Sequence, residues 1–470
     1  MATPNGARNW PRTAMAVAVT LLLVVGSAVI VYRVLAPAEV ITPARAGYPA
    51  PPAVQPGVVG TLNAAPLIVD DRLRVYASTR TIRADLPVDA PTRRTPYWSY
   101  RRWPAQLAGV VADGATVLTR WSDGRLVALD ARTGTVRWRA TGPEPGHGYL
   151  GRRTGAGTVY APTGLHTART ATGRPVLVVG GAADRRGLDL DTGRELWRLA
   201  PGPDCSGGDG DGDGDGDDGS GEGSADGAAA AEAAAGVGDG LTTADGFFAV
   251  PDSCAGSDEV VFHDVSSGAL AGRWRPAGSG QPVQLSPVGC LTGRSGCRAL
   301  RTVAGGVTRG WLLDGTRPVP APALDAPEAV LVDQVAVTVG GTGLVARSAR
   351  TGADLWRWSD TAGPEAPAEP EQDGPAGGPA GGPVRLVAAQ PGRVHLRTAG
   401  GDLVTLDAAT GAERSRFPFT YGRDSTTWAP GFAYAAGGFV AVERLAEPVN
   451  PAAGDDRYYL AAQPVILAGT

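Results

Sequence analysis

From about residue 66 onward the chain is written in short runs of alternating apolar and polar residues, broken by tight turns. In GVVADGATVLTRWSDGRLVALD, residues 109–130, Val117, Leu118, Leu126 and Leu129 fall at spacings that suit strands of about five residues. Asp113-Gly114 and Asp123-Gly124 supply the turns, because glycine accepts a positive φ and aspartate bonds its own backbone. One apolar stretch is of another kind. Residues 14–32, AMAVAVTLLLVVGSAVIVY, are long enough to cross a bilayer as a helix. Arg8 and Arg12 precede it, which favours a cytoplasmic tail at 1–13 and an extracytoplasmic remainder. A cleaved signal peptide is the competing reading, with Ala36-Pro37-Ala38 as its cleavage site. The apolar core of such a peptide is only ~7–15 residues, so an uncleaved anchor is expected. The Pro- and Ala-rich residues 33–65 read as a stalk holding the rest off the membrane.

The alternating runs belong to a repeat. An acidic or small residue is followed by Thr-Gly and then tryptophan: Asp130, Thr133, Gly134, Trp138; Asp189, Thr192, Gly193, Trp197; Ser348, Thr351, Gly352, Trp356. Two worn copies are Asp264, Ser267, Gly268 with Trp274, and Asp407, Thr410, Gly411 with Phe417. A small sheet repeated in this way cannot bury both faces alone and must stack on its neighbours. A tryptophan wedged between two sheets buries ~150–250 Å², so these aromatics are expected to dock one blade on the next. The fold class is therefore all-β: a β-propeller of four-stranded blades over residues 66–470, preceded by one transmembrane helix. Docking positions at Trp98, Trp138, Trp197, Trp274, a weak unit near Leu312–Val319, Trp356 and Phe417 suggest seven blades. Two long spacings keep eight open. The C-terminal runs 431–445 and 458–468 are expected to close the ring with residues 72–85.

Ala128, Asp130, Thr133, Gly134 and Trp138 match the A-x-D-x-x-T-G-x-x-x-W docking motif at every defined position, so the pattern resembles the pyrroloquinoline-quinone (PQQ) repeat family. The resemblance covers roughly residues 66–467. It implies the propeller but not the chemistry, since that family holds quinone-dependent dehydrogenases as well as cofactor-free, BamB-like envelope scaffolds. By analogy a dehydrogenase of the family wants a catalytic Asp, a Ca²⁺ held by carboxylate and amide groups, and often a vicinal Cys-Cys disulfide. There is no Cys-Cys dipeptide, and the only asparagines are Asn5, Asn9, Asn63 and Asn450, outside the central blades. Asp130 and Asp189 sit at the repeated turn position, where a carboxylate caps backbone amides. The expectation is a protein that is not an enzyme, with no cofactor and no small-molecule substrate. The first cysteine is Cys205, far from the apolar run, so the lipid anchor of BamB-like lipoproteins is not expected either.

Two low-complexity inserts interrupt the repeats: 204–240, rich in Asp, Gly and Ala, and 361–383, rich in Pro and Gly. The first carries eleven acidic residues and no Arg, which leaves 43 basic residues against 36 acidic elsewhere, about +7 in a chain whose net charge is −4. Asp211, Asp213, Asp215, Asp217 and Glu222 fall within a calcium-loop spacing, but an Asp-Gly run meets that pattern by chance and lacks flanking helices. Four cysteines in an exported domain are expected as disulfides, Cys290 with Cys297 and Cys205 with Cys254, the other connectivities remaining open. Zinc is not expected, because His147, His166, His263 and His395 are scattered. One segment has a binding character: Arg93, Arg94, Arg101 and Arg102 interleave with Tyr97, Trp98, Tyr100 and Trp103. Guanidinium and indole groups together suit an anionic polymer. The plainer alternative is that Trp98 docks a blade and the arginines lie along it. The chain has no lysine at all, which points to GC-rich coding and an actinobacterial envelope. Partners are then an envelope protein or an anionic polymer, with the membrane through the N-terminal helix and no nucleic acid. The competing classes are a quinone-dependent dehydrogenase and a calcium-responsive sensor.

Overall fold

The computed structural model describes residues 10–35, 38–146, 149, 154–181, 184–200, 240–252, 258–276, 283–340, 343–360, 384–421, 428–446 and 463–470. The calcium-type spacing Asp211–Glu222, both cysteines of the expected Cys205–Cys254 pair, His147 and nearly all of the two inserts lie outside the described residues.

Eight antiparallel sheets follow one another along the chain, so the propeller has eight blades. Blade 2 has the plain form, Leu107–Asp113, Thr116–Trp121, Arg125–Asp130 and Val136–Thr141, paired in sequence order. Blades 3 to 7 begin at Leu165, Leu241, Gln284, Val330 and Arg385 and repeat that order. Blade 1 takes Leu67–Val69, Leu73–Ser78, Thr81–Asp85 and Trp98–Trp103, with a fifth strand, Ala38–Thr42, on its outer edge. Blade 8 is made from both ends of the chain. Ala429–Ala436, Phe439–Leu445 and Val465–Gly469 are joined by Gly57–Leu62 as the outermost strand.

This arrangement corrects two sequence readings. Residues 72–85 do not close the ring; they are the middle of blade 1, and Gly57–Leu62 closes it instead. The stretch 33–65 is not a free stalk throughout, since two of its segments are strands of the propeller. Val58, Val59, Thr61 and Leu62 have the β-branched and apolar character of a strand, hidden in a Pro- and Ala-rich context. The seven docking positions mark the ends of blades 1 to 7; blade 8, whose last strand comes from the other end of the chain, has no such mark.

The core is distributed in the same way. Eight hydrophobic clusters are shared by successive blades, from Val75, Trp98, Val117 and Trp121 between blades 1 and 2 to Leu62, Tyr76, Phe439 and Leu467 between blades 8 and 1. Helix α1 (Trp10–Leu35) takes in the apolar run, and its described side chains are turned outward, Leu22 and Met15 being 71% and 69% exposed. Over the described residues alone, no helix is long and apolar enough to cross a membrane.

Candidate functional site

The signature residues make one contact four times. Trp98 donates its indole N–H to Ala131 O at 2.7 Å, Trp138 to Leu190 O at 2.8 Å, Trp197 to Val265 O at 2.7 Å and Trp356 to Ala408 O at 3.0 Å. Each lies on the signature glycine of the following blade, at φ near +70° in Gly134, Gly193, Gly268 and Gly411. A Cβ on these glycines would come 2.3, 2.5, 2.8 and 2.6 Å from the tryptophan above. Blade 5 ends on Val319–Pro320 without a tryptophan, and at Gly352 of blade 6 an added Cβ would meet no atom within 4 Å. Trp274 instead meets Trp311 edge-on at 4.9 Å, and Phe417 packs into the cluster between blades 7 and 8.

The aspartates of the signature are occupied by their own turns. Asp130 accepts from Arg132 N at 2.8 Å; Asp407 accepts from Ala409 N and Thr410 N, both at 3.0 Å. The Arg414 guanidinium and then the Thr410 hydroxyl and amide hold Asp407 down at about 2. At Asp189 burial works to raise the pKa, but the Thr192 hydroxyl and amide and Arg174 outweigh it and the net direction is down. Carboxylates held as anions by turn amides are poor bases at neutral pH.

Sequence reasoning missed a second set of residues, arginines inside the blades. Arg120, 1% exposed, donates to the carbonyls of Gly164 (3.0 Å), Pro143 (3.2 Å), Thr163 (3.3 Å) and Gly180 (2.5 Å), tying blade 2 to blade 3. Arg74 donates to Ala90 O and Thr92 O, Arg301 to Leu324 O and Ala329 O, Arg397 to Trp428 O and Arg444 to Gln463 O. Burial lowers the pKa of Arg301, with Glu328 and Asp325 opposing. All five lie on second strands. Strand alternation alone assigns such positions to solvent; the detectable signal is a charged residue in an otherwise apolar run, as in VLTRW.

The hub is filled from both ends. In a four-stranded blade the turn from the first to the second strand and the link to the next blade lie at opposite ends. The link from blade 2 to blade 3 carries helix α2 (Ala156–Tyr160), whose Tyr160 donates to Pro66 O at 3.0 Å and stacks on Tyr434 of blade 8 at 4.7 Å. Thr154 beside it donates to the buried carboxylate of Glu443, which also accepts Phe432 N at 3.0 Å. From the opposite end comes the first turn of blade 5, residues 289–298, closed by the Cys290–Cys297 disulfide with S–S 2.02 Å. It bonds across to blades 3 and 4: Thr167 N to Ser295 Oγ at 2.9 Å, Thr242 N to Arg294 O at 3.0 Å, Cys297 N to Thr242 O at 2.7 Å. The α2 link and the disulfide-closed loop meet where Gly293 backs on to Tyr160; a Cβ there would lie 3.0 Å from the Tyr160 carbonyl oxygen.

Beside the disulfide loop is a cavity of about 350 Å³ between the inner strands of blades 5, 6 and 7. Leu291, Val330, Ala389 and Pro391 give it an apolar lining, and Arg298 and Asp333 pair at its wall at 3.1 Å. Gln390, also in the wall, donates to His395 Nε2 at 2.9 Å, while His395 Nδ1 bonds Thr405 Oγ1 at 3.0 Å. Burial, with Arg393 adding to it, pushes His395 down to about 3. Among the described residues no group of three His, Cys, Asp or Glu side chains could hold a metal ion.

The arginine–aromatic segment is split by the fold. Trp98 is fully buried as a docking residue. Arg102 turns towards blade 2, pairing with both oxygens of Asp123 at 2.9 Å and lying 3.4 Å from Glu39. Arg93 bonds Asn63 Oδ1 at 2.9 Å and covers Tyr76. Arg94 and Arg101 stay exposed, and Trp103 is half-buried under Arg80, whose guanidinium carbon is 4.3 Å from the ring centre.

A family profile described as outer membrane protein assembly factor BamB matches residues 54–161. BamB from Moraxella catarrhalis is similar over 87% of this chain and 95% of its own, at 14% identity and a TM-score of 0.39. The quinohemoprotein alcohol dehydrogenase ADHIIG from Pseudomonas putida HK5 is similar over 83% and 71%, at 15% identity and a TM-score of 0.38. The C-terminal WD40 domain of Sif2 is similar over 89% and 97%, at 11% identity and a TM-score of 0.42. No curated protein matches the sequence.

Proposed function

We propose that this chain, a β-propeller of the PQQ-repeat-like kind, is a non-catalytic scaffold, carried on the outer side of a membrane by α1, whose rim binds an envelope protein or polymer. The observation that carries this reading is the filled hub. A quinone-dependent enzyme of this architecture needs an open, polar centre for its cofactor, and here α2 and the disulfide-closed loop meet in that space. The repeated aspartates are engaged by turn amides and hydroxyls, leaving them without the freedom a general base needs. The outward apolar side chains of residues 14–25 support the anchor, since such a surface is costly in water and at home in lipid.

The test uses the full-length protein purified with its helix. Given pyrroloquinoline quinone, Ca²⁺, a panel of alcohols and sugars and an electron-accepting dye, it is expected to reduce no dye above the protein-free rate. Reproducible turnover would overturn the scaffold reading. Cross-linking in intact cells, followed by mass spectrometry, is expected to join blade rims to one recurring envelope partner.

A further inference from the structure

The anchor and the propeller are joined by very little chain. Helix α1 ends at Leu35 and the outer strand of blade 1 begins at Ala38. Three Cα–Cα steps reach at most about 11 Å. The apolar run stops at Tyr32, so with three helical residues added the strand starts within about 16 Å of the hydrocarbon edge. A headgroup layer occupies roughly 5–8 Å of that distance. The rim of blade 1 is therefore held at the lipid surface, and its composition suits that place. Val40, 58% exposed, sits opposite Arg101, and Ala38 opposite Trp103. Arg80 stacks on Trp103 at 4.3 Å, and Arg94 is exposed nearby in sequence. The acidic residue of the strand, Glu39, points to the other face, where Arg139 at 2.7 Å and Arg102 engage it. No described residue pairs with the Arg101 guanidinium.

We propose that the outer edge of blade 1, with Val40, Arg80, Arg101 and Trp103, lies on the bilayer and binds anionic lipid headgroups. This rests on α1 being a membrane anchor. Arginine beside tryptophan is the side-chain pairing that an anionic interface favours: the cation meets the phosphates, and the indole sits at headgroup depth. The propeller is then held against the membrane by its rim, with the closing strand of blade 8 close to the same surface.

Hydrogen exchange on the full-length protein in nanodiscs tests this, comparing neutral phosphatidylcholine with a mixture containing phosphatidylglycerol. The expected result is that amides of 38–42 and 98–103 exchange at least fivefold more slowly in the anionic discs, and that Arg101→Glu removes most of the difference. Residues 14–32 are expected to be protected in both discs and in both proteins. If 14–32 are protected but the rim exchanges equally in both lipids, the lipid-contact proposal is overturned and the anchor stands. If 14–32 are unprotected, the anchor fails and the proposal with it. If soluble polyglutamate protects the rim in detergent as well as the anionic discs do, the site recognises polyanions rather than the membrane, which also overturns it.

Discussion

The clearest division of labour is between two glycines of nearly equal backbone geometry. Gly193 and Gly352 have φ of 73° and 71°, but only Gly193 carries a tryptophan ring against the position of a Cβ. Gly352→Ala is expected to cost about 1 kcal/mol, the left-handed backbone term alone. Gly193→Ala should cost about 1–3 kcal/mol more, because Trp138 must move. Urea melts of the two variants isolate the docking contact, and equal losses would remove it from the account. A second residue sets a pH dependence. The folded pKa of His395 is pushed down to about 3, below the ordinary value of 6.5, so the unfolded chain binds more protons between those limits. Its contribution is complete above about pH 6.5 and declines as pH falls toward 3. Wild type should therefore lose about 2 kcal/mol relative to His395→Gln between pH 7 and 5. Asp407 acts lower, below about pH 4, as its carboxylate takes up a proton.

At the scale of elements, the blades are joined by indoles on the outside and by arginines further in. Trp–Gly docking was legible because it repeats at constant spacing. The arginine contacts were not, because a single Arg in a strand carries no sign of which carbonyls surround it. Arg120→Met keeps most of the volume but removes the donors to four carbonyls, among them Gly164 at the entry to blade 3 and Gly180 within it. A loss of about 3–5 kcal/mol is expected from leaving buried acceptors without partners, measured by thermal or urea denaturation. The disulfide pairing of Cys290 with Cys297 follows from closeness in sequence. Its place in the hub does not, since bonds to Thr167 and Thr242 carry that blade 5 loop across to blades 3 and 4.

For the whole molecule, the ring is closed by six residues near the N-terminus. Thr61 and Leu62 pair with Ile466 and Val465, and Thr61 Oγ1 bonds Gln463 at 2.8 Å. Removing residues 1–62 leaves Val465–Gly469 as an unpaired apolar edge, and aggregation in place of a cooperative melt is expected. Removing residues 1–37 spares every strand, and its melting temperature should lie within a few degrees of the full chain's. A similar melt for both truncations, followed by light scattering, would argue against this closure.

The sequence by itself determined the repeating unit, its turns, its docking aromatics and the all-β class, because these depend on residues a few positions apart. The eighth blade, the filled hub and the division of the arginine-rich segment between a buried pair and an exposed rim were decided only in three dimensions. Each joins residues tens to hundreds of positions apart, such as Leu62 with Val465 or Tyr160 with Tyr434. Local pattern fixes which face of a strand is apolar; only packing decides which distant strand or loop covers it.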